Sequence, residues 1–333
     1  MNSDAARTRV DNCVIVVGSA NIDQVFRVAR IPAPGETVMS TGLSIARGGK
    51  GQNQVVAAAR AGASTIFIAA IGRDGFGERT LEGLQDDKID VSLVRSTSAP
   101  TGTALIAVAD DGENTIIVEA GANAALMGLT GADLKAIGTA DVLVMQLEIP
   151  LQTVAEAARA GRAGGTTVIL NAAPVRDLPR ELLDDIDILV VNEHEAAYLS
   201  GAEAAYHLSA EVVRGLAPVV IVTLGSAGSV LYQRGLDDVS IPATKVVAVD
   251  ATGAGDTFCG AFAARLAEGA SLEDSLRFAG AAASLSVLTP GAVPSIPLRA
   301  AIDRATRLET QSTRHHDGLK AHEPASDRIR PHD

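Results

Sequence analysis

The sequence has few aromatic residues, no tryptophan and only two cysteines. Because aromatic side chains make up only 3% of the 333 residues, the hydrophobic core must be built mainly from Val, Ile, Leu and Ala. Cys13 and Cys259 both lie in apolar runs without a CxxC spacing. This pattern favours two reduced, buried thiols over a disulfide or a metal site.

Positive charge and long apolar segments are also scarce. The chain has 28 Lys and Arg against 40 Asp and Glu, a formal net charge of −12, which disfavours nucleic acid as a partner. No run of about 18 apolar residues is present, which argues against a membrane span. Residues 1–11 lack the apolar centre of a secretory signal, so we expect a cytoplasmic protein.

We expect both ends of the chain to be disordered. Residues 1–11 are polar, and apolar periodicity stops shortly before the polar segment 313–333. That segment contains four of the six histidines, so metal binding there is the alternative to a solvated tail. The predicted domain therefore spans residues 12–310.

Between the two ends, short apolar strands alternate with helical patterns. The predicted strands lie at 14–17, 65–70, 142–145, 167–170, 188–191 and 219–223. The predicted helices lie at 52–61, 152–163 and 193–199. Near-continuous apolar strands that alternate with helices predict an α/β fold, with a doubly wound, mostly parallel sheet flanked by helices on both faces.

Two segments have a different, alternating pattern. Residues 24–46 form short alternating pieces interrupted by Pro32, Pro34 and Gly35, and residues 102–120 form two pieces separated by a polar turn. Such patterns are typical of solvent-exposed antiparallel strands joined by turns. The two segments together predict a small antiparallel sheet separate from the main one.

The strongest candidate site is the turn Gly253-Ala254-Gly255-Asp256, between a predicted strand at 245–249 and an apolar helix. A Gly-rich turn that opens a helix directs several backbone N–H groups at one spot, where the helix dipole also favours an anion. An Asp there can accept a proton from a hydroxyl that attacks a bound phosphoryl group. The alternative is a tight turn in which Asp256 only caps the helix.

Two common nucleotide-binding motifs are excluded. The stretch Gly48-Gly49-Lys50-Gly51 has no Ser or Thr after the lysine and lacks the upstream glycine of a Walker A loop. The 253–256 turn lies late in the chain and lacks the GxGxxG spacing of a dinucleotide-binding fold.

Further polar groups follow the predicted strands, at the edge of the sheet where ligands bind in open parallel sheets. These candidates are Asn21, Asp23, Glu148, Asn192, Glu195, the 48–54 loop and the 223–228 turn. Each one alone is compatible with a turn or a helix cap. Together they place polar groups at the ends of at least four strands, which indicates a ligand site.

On these motifs the chain resembles the ribokinase (phosphofructokinase-B) family of carbohydrate kinases, over residues 14–308. The motifs are Gly-Gly-Lys-Gly-x-Asn at 48–53, Asn-Ala-Ala-Pro at 171–174, Asn-Glu-x-Glu at 192–195 and Gly-Ala-Gly-Asp at 253–256. They occur in the order that the family shows. The resemblance implies a ribokinase-like fold whose small β-sheet forms a lid and joins two subunits into a homodimer.

The resemblance also implies ATP-dependent phosphorylation of a sugar, with D-ribose and its 5-hydroxyl as the first candidate. Asp256 would be the catalytic base, and the N–H groups of Gly253, Ala254, Gly255 and Asp256 would form the anion hole. The sugar would be bound by Asn21, Ile22, Asp23, Gly49, Lys50, Gly51, Gln52, Asn53, Glu148 and Asp256. ATP would be bound by Asn192, Thr223, Leu224, Gly225, Ser226, Ala227, Gly228, Gly255, Asp256 and Gly280.

Two cations belong to this implied chemistry. Glu195 would support Mg²⁺ through water, and K⁺ would be coordinated, mostly by main-chain carbonyls, at Asp250, Thr252, Ser286, Thr289, Gly291 and Ser295. The chain departs from the family pattern at Ala251, where Thr is frequent, and at Gly280, where a polar side chain near the adenine is expected. The second departure puts the adenine contacts in doubt.

Other substrates and a second class of function stay open. Deoxyribose, fructose or ketodeoxygluconate are alternative sugars, whereas a nucleoside is disfavoured because Phe26 is the only aromatic residue in the predicted lid strands. A non-catalytic sugar sensor is the alternative to an enzyme. The intact Gly253–Asp256 turn favours the enzyme, since a sensor would be free to lose the aspartate.

Overall fold

A computed structural model describes residues 11–202 and 209–308 of the chain, and the predictions for both ends lie almost entirely outside these residues. Thirteen strands are assigned within the described ranges. They are β1 Cys13–Val17, β2 Asn21–Val28, β3 Gly42–Gly48, β4 Ser64–Gly72, β5 Val94–Thr97, β6 Gly102–Ala109, β7 Asn114–Glu119, β8 Val142–Met145, β9 Thr167–Asn171, β10 Ile188–Asn192, β11 Val219–Thr223, β12 Ser229–Gln233 and β13 Val239–Ile241.

The helices follow the same chain order. In the described residues they are α1 Lys50–Arg60, α2 Gly75–Asp86, α3 Gly131–Ile137, α4 Leu151–Gly164, α5 Arg180–Leu183, α6 Glu193–Ser200, α7 Ala210–Leu216, α8 Ala254–Ala267, α9 Leu272–Ser286 and α10 Ala292–Ser295. Residues 299–308 are also helical. Among the described helices, none is long and apolar enough to cross a membrane.

The main sheet has the order β13-β12-β11-β10-β9-β8-β1-β4-β5. Its pairings are parallel from β11 to β5, and only β12 and β13 run antiparallel at one edge. The predicted doubly wound, mostly parallel sheet is therefore confirmed.

Helices cover both faces of this sheet, which explains why its strands are continuously apolar. In β1, Val14 and Val16 pack into a core that includes α1, α8 and α9. The intervening Ile15 and Val17 pack into a second core that includes α3, α4 and α6. Because both faces of the strand are buried, alternation of polar and apolar residues is absent.

Four strands form the lid sheet, in the order β3-β2-β6-β7. The separate small sheet is confirmed, but it is not wholly antiparallel: β2-β3 and β6-β7 are antiparallel hairpins, whereas the central β2-β6 pair is parallel. Both β2 and β6 start near the main sheet, at Asn21 and Gly102, which are register partners. The two hairpins therefore leave the main sheet side by side in the same direction, which makes the central pairing parallel.

One predicted strand is wrong. Residues 245–249 are irregular, and the N–H groups of Val249 and Asp250 both donate to the single carbonyl of Val287. Val247 and Val249 are exposed. A β-branched run forms a strand only where a neighbouring strand and a packing surface exist, and this segment has no strand beside it in the described residues.

Candidate active site

Asp256 lies in the first turn of α8, and its carboxylate is tied to another helix. The residue is 6% exposed. Its two oxygens accept hydrogen bonds from the side-chain amides of Asn53 and Gln54 on α1, both at 2.9 Å. A simple helix cap would bond to its own helix terminus, so this geometry favours a site in which the carboxylate is held for another purpose.

The turn before Asp256 exposes the positive end of α8. Gly253, the N-cap residue, has φ of 75°, a conformation that favours glycine. The N–H of Ala254 turns back to the carbonyl of Ala251 at 3.2 Å. The remaining N–H groups of the turn lack acceptors within the helix, as at every helix start, and so remain suited to an anion.

A cavity of about 250 Å³ opens in front of this turn. Seven of the predicted site residues line it, namely Lys50, Asn192, Glu195, Thr223, Gly253, Gly255 and Asp256. Its wall also includes Asn171, Ala251 and Cys259, to which no role is predicted. The cavity therefore joins the 253–256 turn to the ends of β10 and β11.

A second polar group lies at the lid side of Asp256. The Glu148 carboxylate accepts hydrogen bonds from the Ser19 hydroxyl at 2.6 Å and from the backbone N–H of Lys50 at 2.9 Å. The Asp23 carboxylate lies directly over Gly48, where an added Cβ would be 2.1 Å from Oδ2. A side chain at position 48 would therefore displace the Asp23 carboxylate from this position.

The charges of these groups act on one another. Burial raises the pKa of Asp23 to about 6, and the charges of Glu148 and Asp256 add to this rise. Burial also raises the pKa of Asp256, although the Lys50 ammonium and the two amide hydrogen bonds oppose the increase. For Lys50, burial lowers the pKa, but the carboxylates of Asp256, Glu148 and Glu195 outweigh it and raise that pKa.

Asn192 and Glu195 form a reciprocal cap at the start of α6. The Asn192 side chain accepts from the N–H of Glu195, and the Glu195 carboxylate accepts from the N–H of Asn192, both at 2.8 Å. Burial raises the pKa of Glu195. One carboxylate oxygen is engaged by the cap, and the residue still faces the cavity.

The Asp250 carboxylate organises the loop beside the turn. It accepts hydrogen bonds from the N–H and the hydroxyl of Thr252, and from the N–H of Gly291 at 2.8 Å. A Cβ on Gly253 would lie 3.0 Å from that of Ala292, so this loop packs directly against the candidate anion hole. The hydroxyls of Ser286 and Ser295 donate to carbonyls of their own helices.

Several predicted site residues do not present their side chains to this cavity. Ile22 is fully buried and, by strand alternation, lies on the opposite face of β2 from Asn21 and Asp23. Gln52 donates to the carbonyl of Gly48 and thereby braces the loop. The other predicted site residues that do not line the cavity are Asn21, Asp23, Gly49, Gly51, Asn53, Glu148, Leu224, Gly225, Ser226, Ala227, Gly228, Asp250, Thr252, Ala254, Gly280, Ser286, Thr289, Gly291 and Ser295.

Sequence reasoning assigned no individual role to a set of buried side chains that form hydrogen bonds around the site. Ser19 supports Glu148, and Asn123 donates to the side chain of Asn21 at 2.7 Å. Gln54, Gln146 and Asn171 form a hydrogen-bonded group behind Asp256. In the sequence these residues could be noticed only as polar residues next to a strand end or within an apolar helix. The tertiary contacts show which group each of them bonds to.

The fold and the site together have the arrangement of a group-transfer enzyme with a buried carboxylate at a helix N-terminus. A family model for PfkB family carbohydrate kinases matches residues 11–299. The chain therefore belongs to the PfkB family and is a carbohydrate kinase.

The chain is also similar to individual members of this family. The chain is 41% identical to the ribokinase of Staphylococcus aureus over 304 residues, which cover 86% of this chain and 97% of that protein. It is 40% identical to the ribokinase of Haemophilus influenzae over 291 residues, with coverages of 85% and 95%. The structure of Arabidopsis thaliana ribokinase complexed with ribose and ATP matches with a TM-score of 0.84 and 36% identity, covering 89% of this chain and 99% of that one.

Proposed function

We propose that this carbohydrate kinase transfers the γ-phosphoryl group of ATP to the 5-hydroxyl of D-ribose, with Asp256 as the catalytic base. The observation that carries the proposal is the buried Asp256 carboxylate, held by two amides at the positive end of α8. The similarity to two ribokinases at about 40% identity supports ribose as the acceptor.

In the proposed reaction the sugar hydroxyl gives its proton to Asp256 as its oxygen attacks the γ-phosphorus. A new O–P bond forms, the bond from the γ-phosphorus to the bridging oxygen breaks, and ADP leaves with that electron pair. Backbone N–H groups of the 253–256 turn stabilise the charge on the transferring group. The raised pKa of Asp256 suits a base, because a more basic carboxylate accepts a proton more readily.

The sugar is proposed to lie between the lid and Asp256. Asn21, Asp23 and Glu148 provide carboxylate and amide groups on that side, and Asn53 spans the distance to the base. The buried Asn53 Oδ1 has no hydrogen-bond partner in the described residues. An unpaired buried acceptor is costly, so a hydroxyl of the bound sugar is a suitable donor for it.

ATP is proposed to occupy the cavity formed by the 253–256 turn, Asn192 and Thr223. The negative charge of the ATP phosphates would add to that of Asp256, Glu148 and Glu195, whose charges already act on the Lys50 ammonium group. A further cation is therefore proposed to bind with ATP. Mg²⁺ prefers oxygen ligands and retains water, which fits Glu195 at the cavity wall. The described residues contain no cluster of three acidic, His or Cys side chains able to hold a metal alone, so water and the phosphates would complete the ligand set of the ion.

K⁺ is proposed to bind in the loop next to the anion hole, where it would add positive charge near the transferring group. The proposed positions are Asp250, Thr252, Ser286, Thr289, Gly291 and Ser295. Oxygen atoms dominate this set, which suits a hard monovalent cation. The Asp250 bonds to Thr252 and Gly291 already fold the two parts of this loop together.

The lid is proposed to form a homodimer interface. Val25, Ile106 and Ile116 are register partners on neighbouring strands and form an apolar row across the lid. Val25 lies two residues after Asp23 in β2, so this row is on the same face of the lid as Asp23. Ile116 is 55% exposed. The opposite face is turned toward α2, whose Arg79 donates to the carbonyl of Ile45. A second subunit would cover the open row and the exposed lid edges.

The deciding experiment is a coupled assay of ADP release. We expect wild type to turn over ribose faster than deoxyribose, fructose or ketodeoxygluconate, to require Mg²⁺, and to be faster with K⁺ than without it. Asp256→Asn should lose at least about 1,000-fold in kcat, because the general base and its charge are both removed. Glu193→Gln, an exposed neighbour of the site, serves as the control.

Three results would contradict the proposal. A higher kcat/KM for another sugar would change the substrate, and a fully active Asp256→Asn would exclude this residue as the base. Binding of sugar without any ADP release would indicate the alternative, a non-catalytic sensor.

A further inference from the structure

Behind Asp256 lies a chain of three buried amide side chains. Gln54 Nε2 donates both to Asp256 Oδ1 at 2.9 Å and to Asn171 Oδ1 at 3.1 Å. Gln54 Oε1 accepts from Gln146 Nε2 at 2.6 Å. Gln54 and Gln146 are fully buried and Asn171 is 8% exposed, so water has little access to these bonds.

The direction of every bond in this chain follows from one backbone group. Asn171 Nδ2 donates to the carbonyl of Val190 at 3.3 Å, and a carbonyl can only accept. Asn171 must therefore turn its oxygen toward Gln54, and Gln54 must turn its NH₂ group toward Asn171 and Asp256. The oxygen of Gln54 is then left to face the NH₂ group of Gln146.

This order excludes a reversed Gln54 amide. Rotation by half a turn would place the Gln54 oxygen against Asp256 Oδ1 and Asn171 Oδ1, and its NH₂ group against that of Gln146. Each of these contacts would pair two acceptors or two donors in a site shielded from water, which is strongly unfavourable. Gln54 is thus restricted to donating to the carboxylate.

We propose that Gln54 is a positioning residue for the phosphoryl transfer, which fixes the carboxylate of Asp256 in the orientation of an accepting base, and that Gln146 and Asn171 fix Gln54. The inference rests on the proposed role of Asp256. Asn53 holds the other oxygen and also faces the sugar side, whereas Gln54 contacts Asp256 from the protein interior. The network therefore acts on kcat rather than on sugar binding.

The polar group of Gln146 supports this assignment. Its Oε1 has no hydrogen-bond partner in the described residues and lies where a Cβ on Gly18 would be, at 2.1 Å. An apolar side chain of similar shape would avoid that unsatisfied acceptor but would leave the buried Gln54 Oε1 without its donor, so the contribution of glutamine at position 146 lies in its bond to Gln54. Within the part of the chain that the structure describes, its side chain makes one hydrogen bond, the donation to Gln54.

The test is a double-mutant cycle with Gln54→Met and Gln146→Met, measured as kcat and sugar KM. We expect Gln54→Met to lower kcat about 10- to 100-fold with less than about a threefold change in KM, because only orientation of the base is lost. Gln146→Met should lower kcat about threefold to tenfold in wild type, and by less than about twofold in the Gln54→Met background, since it acts through Gln54.

The pH profile gives a readout that a purely structural role would not move. Other titratable groups around Asp256 are Lys50, Glu148, Glu195, Asp23 and Cys259. Removal of the Gln54 donor takes away one bond that favours the ionised carboxylate, so the acidic limb of kcat should move upward by about one pH unit. Thr166→Val removes a buried bond to Ile137 far from the site and should leave the limb unchanged.

If Gln54→Met does not fold, Gln54→Glu keeps the shape and puts a second carboxyl beside Asp256, which should raise the limb further. The inference is overturned if the folded Gln54 variants keep kcat within about twofold of wild type and an unmoved limb while Asp256→Asn is inactive. It is also overturned if the two methionine substitutions are additive in the cycle. An active Asp256→Asn would instead overturn the proposed base, and the inference with it.

Discussion

At the scale of single residues, Asp23 is a buried carboxylate whose ionised form is destabilised by its surroundings. Its carboxylate is packed over Gly48 and lies near the charges of Glu148 and Asp256. Burial raises its pKa from 3.8 to about 6. Between these two pH values the folded protein binds more protons than the unfolded chain, so the stability contributed by protonated Asp23 is present below about pH 4 and lost as pH rises through about 6.

The first prediction follows from this dependence of stability on pH. At pH 7.5, Asp23→Asn should increase the free energy of unfolding, by at most about 3 kcal/mol for a rise of this size. At pH 4 the increase should shrink to less than about 1 kcal/mol, because wild-type Asp23 is then neutral in the folded state and only about half ionised in the unfolded chain. Urea unfolding of both proteins at the two pH values measures this difference.

The same substitution should raise the sugar KM, since the proposed hydroxyl acceptor loses its charge. An Asp23→Asn protein that is less stable than wild type at pH 7.5 would show that the carboxylate is stabilised by contacts rather than destabilised by burial. An unchanged sugar KM would remove Asp23 from the proposed binding set.

At the scale of elements, the site depends on the contact between α1 and α8. Helix α1 carries Asn53 and Gln54, and α8 carries the carboxylate that they hold. Gly260 lies where the two helices touch: an added Cβ would be 2.3 Å from the Gln54 carbonyl oxygen and 2.6 Å from Ala57 Cβ. The absence of a side chain at position 260 therefore allows the close approach of α1 and α8.

The second prediction concerns this contact. Gly260→Ala should lower the free energy of unfolding by about 1–3 kcal/mol, because the new methyl group forces the helices apart. It should also lower kcat, since α1 would move away from Asp256. Denaturant unfolding and the ADP assay measure the two effects.

Gly215 on α7 provides the matched control, because an added Cβ there meets nothing within 4 Å. Gly215→Ala should be neutral or stabilising by up to about 1 kcal/mol, as expected for alanine in a helix. A Gly260→Ala protein as stable as the Gly215→Ala protein would mean that the helix contact tolerates the methyl group and does not set the geometry.

At the scale of the whole molecule, the lid gives a prediction about assembly. Ile116 and Ile117 are consecutive in β7 and both are exposed, but strand alternation places them on opposite faces of the lid. Ile116 belongs to the apolar row on the face of Asp23, and Ile117 to the other face.

If that row is the dimer interface, Ile116→Lys should convert a dimer of wild-type protein into a monomer, because a desolvated ammonium would lie in an apolar contact. Ile117→Lys should leave the dimer intact. Light scattering coupled to gel filtration distinguishes the two. A wild-type monomer, or equal effects of both substitutions, would reject this interface.

The sequence by itself determined six of the nine strands of the main sheet and the order of the motifs, whereas β5, β12 and β13 were not predicted. Continuous apolar runs predict strands buried on both faces, as the packing of Val14 and Ile15 into two separate cores illustrates. The two Gly-rich motifs at 48–53 and 253–256 were also identifiable from the sequence. Glycine occurs where the backbone is left-handed, as at Gly253 with φ of 75°, or where another group approaches closely. The lid hairpins were identified from alternation and turns.

Only the tertiary structure decided how these parts meet. The parallel pairing of β2 with β6 depends on where both strands leave the main sheet, and local sequence contains no record of it. Residues 245–249 resemble a strand but have no neighbour to pair with. Gln146 is 92 residues from Gln54 along the chain, and Asn171 is 117 residues from Gln54. The three side chains therefore come into contact only when α1 packs against the ends of β8 and β9. Hydrogen-bond partners are set by three-dimensional proximity, which is why a sequence can indicate Asp256 but not which side chains form the hydrogen-bonded network around it.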